Sequence, residues 1–184
     1  MPILSNFNPS KKGATAMKSK QVISKVLNDF EKRLVIFFYI VAGLGIGAIL
    51  FQFAPAFRVS FGSGIFYEDV SGFSAFFGDI IYQPSTWGII ADLTIVLGAL
   101  LSLLYAYSVQ TKKHWRKKNV LIIFSLSFNI VAVVMLYVAS ATFITLNTLE
   151  SMNYLWGFVC SGALVITAMF IEWFFVNRLN DKDA

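Results

Sequence analysis

Apolar positions in this chain gather into four long stretches, at 34–57, 86–108, 120–145 and 154–176. Each meets or exceeds the ~20 apolar residues that a helix needs to cross a ~30 Å hydrocarbon core. The pattern predicts an all-α integral membrane protein, a bundle of four transmembrane helices. Ahead of the first stretch, Val22, Ile23, Val26, Leu27, Phe30 and Leu34 recur at three- and four-residue spacing. Lys20, Lys25, Asp29 and Lys32 fall between them, so 19–33 reads as an amphipathic helix. Beside a span, such a helix lies in the inner interface and attracts anionic lipid, or docks a cytoplasmic partner. Residues 1–18, with Pro2, Pro9 and Gly13, read as a disordered cytoplasmic N-terminus, and 177–184 as a cytoplasmic tail.

The segment joining the first two spans, 58–85, is longer and more apolar than a plain connection requires. Phe57, Val59 and Phe61 alternate with Arg58 and Ser60; Gly62, Ser63 and Gly64 follow, and then Ile65 and Tyr67 alternate with Phe66 and Glu68. That is the signature of a short β-hairpin with a glycine turn. Residues 72–82 read as a short helix at the outer surface or dipping into the bilayer. Phe61, Phe66, Tyr67, Phe73, Phe76, Phe77 and Tyr82 make this loop a candidate outer contact surface, to be covered by lipid, by the bundle or by a partner. In the first span Gly43 and Gly47 form a GxxxG pair that lets another helix approach closely. Pro55 ends or kinks that span.

Composition agrees with the pattern. Of 184 residues 57% are hydrophobic and only 14% charged, against about 25% charged in a soluble domain. The apolar excess sits in the four stretches, which leaves one membrane domain, 34–176, and no room for a soluble one. The first 33 residues lack an apolar core with a small-residue cleavage site, so the first span is expected to be an uncleaved anchor. The single Cys160 excludes a disulfide within the chain, and the single His114 lies in the basic run 112–118. No set of residues has the spacing of a metal site, and no cofactor is expected.

Charge orients the spans. Lys11, Lys12, Lys18, Lys20, Lys25, Lys32 and Arg33 precede the first. Lys112, Lys113, Arg116, Lys117 and Lys118 lie between the second and third, and Arg178 and Lys182 follow the fourth. The opposite side holds Arg58 alone, with Glu68, Asp69, Asp79 and Glu150. Positive charge stays inside, so both termini are expected in the cytoplasm of a cell-membrane protein. The net charge of +5 is therefore mainly a topology signal. It does not indicate nucleic acid, for which base-reading or stacking groups are missing. Trp87, Tyr105, Tyr107, Tyr154, Trp156 and Trp173 mark the interfacial edges of the spans.

Polar groups at membrane depth are costly and face the bundle interior. Asp92 lies about 9 Å into the second span at 1.5 Å per residue. An ionised carboxylate there needs a partner, and Arg58 is the one cation at that end, so an Arg58–Asp92 pair is expected. Gln52 and Asn129 are candidates for hydrogen bonds between helices. Glu172 lies near the inner end of the fourth span, at the depth of Arg33 and Lys117. It is expected in an interfacial ion pair or as a proton-coupling carboxylate.

These residues carry no enzyme signature. Asp92 and Glu172 are expected near opposite faces, and there is no nucleophile with a base and no phosphate-binding loop. A non-catalytic membrane protein working through contacts is the leading expectation: an accessory subunit, scaffold or adhesion-type tetraspan. Its partners would be the bilayer with anionic lipid at the inner face, and a membrane protein or further copies of itself. The alternative is an oligomeric channel or transporter component using Asp92 and Asn129. Four spans with both ends inside, a long first outer loop with strands and a short second one resemble the claudin-type layout in topology. The Gly-Leu-Trp motif and paired outer-loop cysteines of that family are absent from the sequence.

Overall fold

A computed structural model describes residues 32–61, 66–111, 118–149 and 151–183. The expected N-terminal disorder, most of the amphipathic helix, the glycine turn at 62–65 and the basic run at 112–117 lie outside the described residues. The chain forms α1 (Lys32–Phe51), β1 (Pro55–Phe61), β2 (Phe66–Ser71), α2 (Gly72–Phe77) and α3 (Thr86–Gln110). It continues through α4 (Lys118–Leu146), β3 (Ser151–Tyr154) and α5 (Trp156–Asp183). Four of these helices, α1, α3, α4 and α5, are long and apolar enough to span a membrane. The three strands form one sheet at the end of the bundle opposite the start of α1, here the sheet end; the other is the terminal end.

α1 stops six residues before the apolar stretch does, at Phe51 rather than Phe57. Gln52, Phe53 and Ala54 donate to Ile49, Leu50 and Phe51 at 3.0–3.2 Å, the i→i−3 bonds of a tightened last turn. Pro55 then lacks an N–H and disfavours helix in the residue before it, so the chain leaves as a strand. The apolar run continues because Phe57 and Val59 point into the core from β1, both fully buried.

β1 is the middle strand, antiparallel to β2 on one side and to β3 on the other. Arg58 pairs with Asp69 of β2 and with Asn153 of β3 in register. β3 was not expected: four residues, Ser151–Tyr154, are too few to show a period of two. It forms because β1 offers it a ladder, and Ser60 and Ser151 join their hydroxyls at 2.6 Å. α2 is shorter than expected. Ser71 caps it by accepting from Ser74 N at 3.0 Å, and Gly78 ends it at φ 79°, where other residues would be strained.

The core has two parts. At the sheet end Phe57 packs against Phe76, Phe143 and Phe158, with ring centroids 6.2, 5.7 and 5.1 Å away. At the terminal end Phe38, Tyr105 and Phe175 close the bundle. Tyr105 thus points inward and is not part of an interfacial belt. α3 and α4 meet through small residues, among them Ala91, Gly98, Ser102, Ser125 and Ala132, the usual means of bringing two helices close.

Of the Gly43–Gly47 pair, Gly47 lies against a neighbouring helix and Gly43 does not. A Cβ at Gly43 would touch nothing within 4 Å, and one at Gly47 would meet Leu164 of α5 at 3.2 Å. The close approach is at Gly45, where a Cβ would lie 2.9 Å from the Ala99 Cβ of α3. Helical spacing alone cannot say which glycine of a Gly-x-Gly-x-Gly run faces the neighbour.

Candidate functional site

The buried polar side chains sort into two groups along the bundle. In the half toward the terminal end, Glu172 of α5 is fully buried. Its Oε1 accepts from Ser102 Oγ of α3 at 2.8 Å and from Ser125 Oγ of α4 at 2.5 Å. Its Oε2 accepts from Asn129 Nδ2 at 2.7 Å. Ser125 and Asn129 are four residues apart and so share one face of α4. Gly98 leaves room for the Asn129 amide, since a Cβ there would lie 2.9 Å from Asn129 Oδ1. The cluster ties three helices together through one carboxylate. Among the described residues, hydroxyl and amide donors rather than a cation hold Glu172.

Closer to the sheet end, Gln52 and Asp92 are both buried. Gln52 Nε2 donates to Ser161 Oγ of α5 at 2.9 Å, and the Gln52 carbonyl accepts from Phe73 N at 2.8 Å. Gln52 Oε1 lies against Gly72, where a side chain would collide with it. Gln52 Oε1 and Asp92 Oδ1 are the buried side-chain atoms without a hydrogen-bond partner among the described residues.

The Arg58–Asp92 pair is not formed. Arg58 makes a two-pronged bond to Asp69 across the β1–β2 ladder, Nε to Oδ1 at 2.7 Å and Nη2 to Oδ2 at 3.0 Å. This hydrogen bonding holds the Asp69 carboxyl below its ordinary range and the guanidinium above its own. Both side chains are exposed on the sheet, so their direct stabilising effect is small. The expected hairpin forms, and its register sets Asp69 directly opposite Arg58. A carboxylate directly across the ladder reaches it sooner than one in a neighbouring helix does.

The loop from α2 to α3 is pinned from several sides. Asp79 Oδ1 accepts from Ile81 N and Tyr82 N at 2.8 and 2.9 Å, which keeps its carboxyl below the usual range. Tyr82 turns inward and donates its hydroxyl to Glu68 at 2.8 Å; burial, then that bond, raises the phenol above its ordinary value. Gln83 N donates to Asn147 Oδ1 at 2.8 Å. The turn leaves Ile80 and Ile81 projecting outward. Phe53, Phe73 and Phe77 stack beside it, with successive centroids 4.9 and 4.7 Å apart, and remain exposed.

Of the expected contact aromatics, Phe66, Tyr67, Phe73 and Phe77 are exposed, whereas Phe76 and Tyr82 are core residues. The side chain of Phe61 lies outside the described residues. Sequence reasoning missed Ser102, Ser125 and Ser161, the hydroxyls that partner Glu172 and Gln52. Serine is cheap to place in an apolar helix, and only its spacing from Asn129 or Gly98 hinted at a shared face. Among the described residues no three His, Cys, Asp or Glu side chains come together as a metal would need. No protein-family model matches the chain, and neither a curated protein nor a solved structure matches it.

Proposed function

We propose that this is a non-catalytic, multi-pass cell-membrane protein that works by binding another membrane protein through its sheet end. Both termini are cytoplasmic, as the fourteen-to-one placement of Lys and Arg supports. The sheet and α2 then face outward. The observation that carries the reading is the ridge of Phe53, Phe73, Phe77, Ile80 and Ile81. Its side chains are exposed, while its backbone is held by Asp79, the Gln52 carbonyl and Asn147. Rigid exposed apolar surface suits recognition, because little conformational entropy remains to be lost on binding. Chemistry has less support: Glu172 and Asn129 are engaged with each other and with serines.

A photo-crosslinking residue at Ile80 in native membranes tests this, with one at Phe124 on the exposed face of α4 as control. The expected result is one defined protein adduct from position 80 and lipid adducts from 124. Lipid adducts alone from both positions would overturn the reading. The transport alternative rests on Asp92, whose buried carboxylate oxygen has no partner.

A further inference from the structure

Gln52 and Asp92, which carry the two unpartnered oxygens, come to one level along the bundle by the register of α1 and α3. α1 and α3 run antiparallel, with three fixed points of register. Phe38 meets Tyr105 at 4.5 Å between centroids, Tyr39 Oη donates to Gln110 at 3.0 Å, and Gly45 abuts Ala99. Gln52 is seven residues beyond Gly45, and Asp92 is seven residues before Ala99. Seven residues are nearly two helical turns. Asp92 therefore returns to the face of α3 that makes the Gly45–Ala99 contact, and Gln52, in the tightened turn that ends α1, advances the same distance along the bundle.

The Gln52 amide already has a partner at its far end, Ser161. An amide carries an acceptor and a donor, and a hydroxyl can be either. We propose that Asp92, Gln52 and Ser161 form a proton-binding relay linking α3, α1 and α5. With a proton on Asp92, its O–H donates to Gln52 Oε1 while Nε2 donates to Ser161 Oγ, the amide orientation seen in the structure. When the proton leaves, the amide turns over. Nε2 then donates to Asp92 Oδ1, and the Ser161 hydroxyl donates to Oε1. Both states pair Asp92 Oδ1, Gln52 Oε1 and Gln52 Nε2, and the only bond broken is the carboxylic O–H, whose proton passes to solvent.

The ligand is a proton rather than a metal ion. Hard cations take about six oxygen ligands, and here two side-chain oxygens are open. The elements around the relay offer Asp92 no competing charge. The sheet-end half of α1 and all of α2 carry no titratable side chain, and α4 contributes the exposed Tyr137. α5 carries Cys160 beside Ser161, and Glu172 eleven residues on, roughly 16 Å along the helix. Arg58 is engaged with Asp69, Glu68 with Tyr82, and Asp79 with its own turn.

The test uses the full-length protein in detergent. Thermal stability is followed against pH, together with infrared difference spectra between acid and alkaline samples. Wild type is expected to show a pH transition and a carboxylic C=O band that Asp92→Asn removes. Gln52→Leu deprives the carboxylate of its donor and is expected to raise the transition midpoint by about one pH unit, because a hydrogen bond to a charge is the stronger kind. A transition and C=O band unchanged in Asp92→Asn, or an unmoved midpoint in Gln52→Leu, would overturn the relay. So would a Gln52→Cys/Asp92→Cys pair that resists a short bifunctional thiol crosslinker that joins a Gly45→Cys/Ala99→Cys pair, all in a Cys160→Ala background.

Discussion

Glu172 and Asp92 are both carboxylates buried inside helices that could cross a membrane, yet their surroundings differ. Glu172 receives hydrogen bonds from three side chains on two neighbouring helices. Asp92 has an oxygen that receives none from the described residues. A buried polar group that is fully paired fixes one arrangement of its neighbours; one with open valence is costly unless something binds it. By this measure Glu172 is a knot in the fold, and Asp92 is where the bundle can change state.

The largest expected effect separates them. Glu172→Ala strands the donors of Ser102, Ser125 and Asn129 in a cavity and should cost about 3 kcal/mol. Asp92→Ala strands no partner seen in the structure and should cost under about 1 kcal/mol. Reversible unfolding in detergent would measure both, and equal costs would break the distinction. Next, Gly45→Leu should cost about 1–3 kcal/mol by overpacking against Ala99. Gly43→Leu should be near neutral, and its effect sharpens the assignment of the α1–α3 register that brings Gln52 level with Asp92.

Smaller effects probe the sheet end, whose polar groups are paired but open to solvent. Tyr82→Phe removes the bond to Glu68 and should cost about 1 kcal/mol in the same assay. Asp79→Ala should cost less than about 1 kcal/mol, because the carboxylate is exposed. Its sign with pH is fixed. The folded state holds the Asp79 carboxyl below its ordinary range, so its contribution is complete above about pH 4 and fades as pH falls further. The variant should therefore converge on wild type in acid.

Much of this architecture was legible in the sequence. Long apolar stretches located the four helices, α3 and α4 to within two residues at each end, because length and hydropathy are local properties. The β1–β2 hairpin was legible from alternation around Arg58 and Glu68. What could not be read was pairing. Nothing local to Ser151–Tyr154 announces a strand, since its partner lies about ninety residues earlier. Glu172 looked like an end-of-helix charge until Ser102 and Ser125 were placed opposite it. The Arg58–Asp92 expectation missed because alternation predicts the strand but not its register, and the register sets Asp69 directly across from Arg58. Gln52 and Asp92 were both visible as polar residues at depth, but only the register fixed by Gly45 sets them at one level.

The order of the sheet, with β1 between β2 and β3, also carries a consequence for biogenesis. β1 and β2 leave the ribosome early, but β1 keeps one bare edge until the link between α4 and α5 has been made. A contact spanning that much chain is slow to form and leaves partly made protein exposed in the meantime. Closure of β3 onto β1, marked by the Ser60–Ser151 contact, thus follows synthesis of α4. Until Ser151–Tyr154 pairs with it, that edge of β1 carries unpaired backbone N–H and C=O groups.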